Sequence, residues 1–215
     1  MRIHHVLAAL IAVLALCIPA RSHAATGRHD GFYLEMTLGL GVEATYARED
    51  PDPGTGNSVH SSAVGPGATA SILIGGSPLP GLVLGGGALS SFAILGAWTR
   101  TLNGERTSFS DDDADDPFAS LLGLVGPFCD YYPNPARGFH VQALAGYATL
   151  AMRPANESLS NPSGLGLMAG VGQDWSVAPR WSVGLLARVV GVASSVPGEH
   201  ELTLLPSLNV AFTYY

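Results

Sequence analysis

Several groups of side chains have the types and spacing to do chemistry. His60 stands beside Ser61 and Ser62, and His200 stands between Glu199 and Glu201. Imidazole next to a hydroxyl or a carboxylate is the raw material of acyl or peptide hydrolysis. Asp111, Asp112, Asp113, Asp115 and Asp116 form an acidic run, and clustered carboxylates bind Ca²⁺. An EF-hand loop would need a Gly sixth and a Glu twelfth, and Pro117 already follows the run. The run therefore reads as a solvated loop, whose one ligand role would be to bridge divalent cations to lipid phosphates. Glu35, Glu43, Asp174 and Arg188 are charges set inside apolar, alternating segments. They form either a gate or a structural ion-pair network. No His-x-Ser motif lies on the last strands. No residue is assigned as catalytic, cofactor-binding or metal-binding, and the expectation is a protein that is not an enzyme and has no cofactor.

The elements that carry these residues have a period of two. Phe32, Leu34, Met36, Leu38, Leu40, Val42, Ala44 and Tyr46 share one face; Tyr33, Glu35, Thr37, Gly39, Gly41, Glu43 and Thr45 share the other. Strict alternation over this length predicts a long strand with one apolar face. The pattern recurs over residues 64–76, 165–177, 181–193 and 202–214. It is less clean over 82–99, 118–131 and 139–152, the first two apolar on both faces. Eight strands result.

Their connections alternate in length. Residues 48–61, 101–117 and 153–163 are long; 77–81 and 178–180 are short; Ser194 to His200 is intermediate. Long loops on one side and short turns on the other are the habit of a transmembrane barrel. Phe32, Trp175, Trp181 and Tyr214 lie at the short-turn end in the apolar phase, and Tyr46 and Trp98 lie at the far end. Aromatic rings at both strand ends match the girdles at membrane interfaces. The opposite face carries Glu35, Glu43, Asp174, Arg188, His140 and Gln142. Facing lipid, each charge would cost several kcal/mol, about 2–4 for a basic residue at the midplane, so this face belongs inside.

Composition agrees. Of 215 residues only 13% are charged, 27 are Gly, and the net charge is −7. The low charge excludes a disordered chain, and the acidic balance excludes a general nucleic-acid binder. Residues 62–99 carry no charge but hold Gly85-Gly86-Gly87 and three prolines, which argues against a membrane helix. At the N-terminus, Arg2 precedes the apolar run Val6 to Ile18, then Pro19 and Ser22-His23-Ala24. Residues 1–24 read as a removable signal peptide, and a lipid anchor at Cys17 is the rival. Cys17 leaves with the signal, so Cys129 has no disulfide partner and reads as a small strand residue. Residues 25–215 form one domain.

Two stretches are more specific. Gly164 to Val189, GLGLMAGVGQDWSVAPRWSVGLLARV, has a Gly-alternating strand, a tight turn and a Trp-led strand. Leu124 to Leu150, LVGPFCDYYPNPARGFHVQALAGYATL, is of the same kind. With them the chain resembles the small outer-membrane β-barrel superfamily, the OmpA/OmpX-like eight-stranded barrels. The resemblance implies an all-β, single eight-stranded antiparallel up-and-down transmembrane barrel in the outer membrane of a Gram-negative bacterium. It implies outer-membrane lipids and lipopolysaccharide as partners. Members of that group often end on an aromatic in the lipid-facing phase, whereas here that phase runs through Tyr214 and the last residue is Tyr215. Pro66, Pro127 and Pro206 interrupt strands, so bulges or shorter strands are expected there. The expected function is structural or surface-interacting, with a side-chain-filled lumen and acidic outer loops. The alternatives are a barrel enzyme acting on lipid or peptide at the outer rim, and a soluble exported barrel binding a small apolar ligand.

Overall fold

The computed structural model describes residues 31–49, 59–96, 98–102, 105–109, 118–153, 162–196 and 198–215. The signal segment 1–24, with Cys17, and the acidic run 111–116 lie outside the described residues. The strands are β1 (Phe32–Glu49), β2 (Val59–Leu79), β3 (Leu82–Leu95), β4 (Trp98–Leu102), β5 (Glu105–Phe109), β6 (Phe118–Tyr131), β7 (Phe139–Arg153), β8 (Ser163–Ala178), β9 (Trp181–Val196) and β10 (Glu199–Tyr214).

Eight of them close a ring. In the antiparallel order β1, β2, β3, β6, β7, β8, β9, β10, each pairs with the next, and β10 returns to β1 from Leu34↔Tyr214 to Glu49↔Glu199. A ring has no edge, so the mid-wall backbone groups are paired between strands, as an apolar solvent demands. The short β4–β5 hairpin extends the wall beyond β3, with β4 pairing β2. It occupies part of the third connection, which the sequence suggested was one long loop. The seventh connection is tight rather than intermediate, because β9 runs to Val196 and β10 starts at Glu199.

Local chemistry shapes the short-turn end. Gly81 turns the chain between β2 and β3 at φ 78°; a side chain there would meet the Tyr132 carbonyl. Between β6 and β7, Asn134 caps a single 3₁₀ turn over Pro135–Arg137, its side chain accepting from the Ala136 amide at 3.1 Å. Gly138 closes that turn in the left-handed region.

The prolines do not shorten the strands. Pro127 pairs with Gly86, while the β6–β7 ladder skips from Val125↔Tyr147 to Phe128↔Leu144 with no change of register. Pro206 likewise pairs with Val189, and the β1–β10 ladder skips from Gly41↔Ser207 to Ala44↔Leu204. Each lacks a donor on one side only, and the ladder reforms beyond it. The register shifts lie away from the prolines, between Gly76 and Leu79 and between Ser176 and Ala178, and beside Pro66 the partner of β2 changes. There β2 pairs β3 from Gly67↔Ala93 but pairs β4 from Ser62↔Thr99.

The faces fall as the period requires. Phe32, Leu38, Leu40, Tyr46, Leu165, Leu167, Leu208 and Phe212 are exposed on the outer wall; Glu35, Glu43, Asp174, Arg188, His140 and Gln142 are buried inside. The lumen is less polar than expected. Leu89, Leu122, Leu124, Leu144, Leu150, Met168, Val190, Val192 and Leu205 pack into one internal cluster. The doubly apolar segments in β3 and β6 are apolar inward as well as outward.

Candidate functional site

Two places gather the side chains that could act: the lower lumen and the outer rim. In the lower lumen, Arg188 on β9 reaches across to Glu35 on β1, Nη2 to Oε1 at 2.9 Å. Its Nη1 donates to Thr37 at 2.8 Å and Ser71 at 2.7 Å, and Nη2 also donates to the Gln142 carbonyl at 2.8 Å. Gln142 donates back to Glu35 at 3.1 Å. A buried ion pair needs such extra hydrogen bonds to offset its desolvation.

Below this pair sits a histidine between carboxylates. His140 Nδ1 is 2.8 Å from Asp130 Oδ1, and Nε2 faces Asp174 Oδ1 at 3.8 Å. The ring stacks on Tyr132, centroids 4.8 Å apart. Two glycines make the room: an added Cβ would lie 2.0 Å from His140 Nε2 at Gly172 and 2.0 Å from Asp174 Oδ1 at Gly184. Tyr33 spans the two groups, its hydroxyl 2.9 Å from Glu35 and 2.8 Å from Asp130. The floor is aromatic. Tyr215 donates to Asp174 at 2.8 Å, and Tyr132 lies 3.0 Å from the Tyr215 hydroxyl. Tyr215 thus points inward, out of the lipid-facing phase that runs through Tyr214.

Of the four charges singled out in the sequence, Glu35, Arg188 and Asp174 share this network. Glu43 stands apart, hydrogen-bonded to Ser120 and, at 3.3 Å, to Ser91. Sequence reading missed Asp130, Tyr132 and the inward role of Tyr215. For Asp130 the signal was present, since Leu122, Leu124, Phe128 and Asp130 continue one period of two. Glu35, Asp130 and His140 are close enough together to ligate a metal ion. Glu35 is held by Arg188 and His140 Nδ1 by Asp130, while the buried His140 Nε2 has no hydrogen-bond partner and faces Asp174 Oδ1 at 3.8 Å.

The outer rim brings the two histidine motifs together. Arg48 on β1 pairs with His60 on β2 and with His200 on β10. All three are exposed and line a cavity of about 400 Å³ with Tyr46, Ser62 and Leu202. Among the described residues no hydrogen bond joins His60 to Ser61 or Ser62. Cys129 is a half-buried free thiol in β6.

The wall itself decides the setting. An unbroken ring of strands turns leucine, isoleucine and valine outward and buries Glu35, Glu43, Asp130, Asp174 and Arg188. At the short-turn end Trp181 and Phe32 pack on Tyr214, ring centroids 5.2 and 6.2 Å away. In water that outer face would be one continuous apolar patch, and only lipid satisfies it. The fold is that of an outer-membrane β-barrel. No protein-family profile matches the sequence, and no curated protein matches it. Solved structures similar to this barrel include the outer membrane protease OmpT from Escherichia coli, at 10% identity over 86% of this chain and 97% of that one, TM-score 0.47. OprG from Pseudomonas aeruginosa is 10% identical over 88% and 97%, TM-score 0.48. Neisserial surface protein A is 14% identical over 84% and 95%, TM-score 0.45.

Proposed function

We propose that this chain is a filled outer-membrane barrel of the structural or surface-interacting type. In this reading it sits in the outer membrane of a Gram-negative bacterium, after export by the segment 1–24. Its outer rim and loops meet partners, chief among them the lipids and lipopolysaccharide of the outer leaflet, and the lumen conducts nothing. The observation that carries the reading is the content of the lumen. The Tyr33–Tyr132–Tyr215 floor, the Glu35–Arg188 and Asp130–His140 pairs and the leucine cluster above them occupy it in succession. An eight-stranded wall encloses little more than its own side chains.

The rim-enzyme alternative needs a base held against a nucleophile, and His60 holds neither neighbouring serine. The soluble alternative needs the apolar face inward, and the exposed outer wall speaks against it. Planar-bilayer recording on the purified, heat-modifiable barrel tests the proposal. Insertion without a steady open level is expected; a stable, ohmic pore would overturn it.

A further inference from the structure

We infer that the outer wall at β2, β1 and β10 holds the phosphate of an outer-leaflet lipid, with Arg48 at the centre of the site. The inference rests on the membrane placement proposed above. Three successive outward rows cross these strands. The lowest is Val64, Ala44 and Leu204; the next is Ser62, Tyr46 and Leu202; the highest is His60, Arg48 and His200. Each row lies about 7 Å above the last, two residues at ~3.4 Å rise. Going outward, the wall therefore changes from aliphatic, to hydroxyl and aromatic, to cationic. A single lipid changes in the same order, from acyl chain to ester or sugar to phosphate.

Charge is sorted across the wall at this height. Period two puts Arg48, His60 and His200 outside. Glu201 points inward and is buried, accepting from Ser194 at 3.4 Å. None of the ion pairs inside the described barrel uses Arg48. A guanidinium presents a planar fork of donors matched to phosphate oxygens, and the flanking imidazoles make the row cationic when protonated. Beside β1, Thr99 and Thr101 on β4 extend the cavity, pairing with Ser62 and His60. Tyr46, Arg48, His60, Ser62, His200 and Leu202, which line the cavity, belong to the outward phase of their strands, so the ligand that fits it arrives from the membrane.

The test uses the whole mature chain folded in neutral detergent, titrated with purified diphosphoryl lipid A and with the same lipid after dephosphorylation. Native mass spectrometry counts the lipid retained. One phosphorylated lipid is expected on the wild type. Combining Arg48→Gln, His60→Gln and His200→Gln should weaken retention about five-fold or more. Arg48→Lys should keep most of it. Arg180→Gln, at the opposite rim, should leave it unchanged. Equal retention by the triple variant, or of the dephosphorylated lipid by the wild type, overturns the site. Heat-modifiable gel mobility of every variant separates the two readings. A chain that never folds into membranes overturns the proposed function and this site together, whereas a folded barrel blind to phosphate overturns the site alone.

Discussion

Arg188 and Glu35 meet at 2.9 Å although their strands, β9 and β1, are separated in the wall by β10. The contact is a chord across the lumen, and it ties together strands from opposite ends of the chain. Removing one partner leaves the other charge buried and unpaired. Arg188→Met should cost about 3–5 kcal/mol. Arg188→Met with Glu35→Gln should recover a large part of that loss. The measurement is reversible urea unfolding in lipid vesicles, followed by gel mobility and tryptophan fluorescence. A double variant no more stable than Arg188→Met would refute the chord as the main partner.

The room made by Gly172 and Gly184 gives a second expectation. Gly172→Ala pushes a methyl into the His140 ring, which Tyr132 holds from one face, and Gly184→Ala does the same to Asp174. Each should lose about 1–3 kcal/mol by overpacking. Gly86 has open space where its Cβ would be, so Gly86→Ala should stay within about 0.5 kcal/mol. The same unfolding midpoints decide, and an equal loss at all three would tie the effect to glycine removal in general.

Depth along the outer wall is measurable too. Leu38 lies mid-strand on the outer face and Tyr46 near the outer rim. Leu38→Arg should cost about 2–4 kcal/mol and Tyr46→Arg about 0–1 kcal/mol. Vesicle folding equilibria report both. A small cost at Leu38 would mean that this face does not meet hydrocarbon.

At the floor, Tyr215→Phe removes a donor from the buried Asp174 carboxylate and should cost about 1–3 kcal/mol. Tyr214→Phe loses only an exposed contact with Arg180 and should leave the unfolding midpoint unchanged. Reversal of that order would show that the terminal aromatic acts from the lipid side.

Much of this was legible in the sequence. Alternation from Phe32 to Tyr46 and from Trp181 to Val189 assigns faces, because the strand's side-chain period is two in any sheet. Charges in the polar phase are thereby committed to the lumen, and Arg188 and Glu35 were found that way. Asp130 was missed because its strand is apolar on both faces, so the alternation that marks a polar position is faint there. Bulges or shorter strands were expected at Pro66, Pro127 and Pro206, yet a strand with two neighbours can lose one donor and still be held from the other side.

What the sequence alone determined is the strand count in the wall, the inward set on the alternating strands and the apolar outer face. The strand count and the division into two faces follow from a local period, and the strand-end aromatics with the cost of a charge in lipid say which face is outward. What only the tertiary structure decided is which inward groups meet. Arg188 finds Glu35, His140 finds Asp130 and Asp174, and Glu43 finds Ser91 and Ser120, because ring closure and stagger set the height of each residue in the lumen. The rim row of His60, Arg48 and His200 arises the same way. Residues far apart in the chain become one surface only when the last strand pairs with the first.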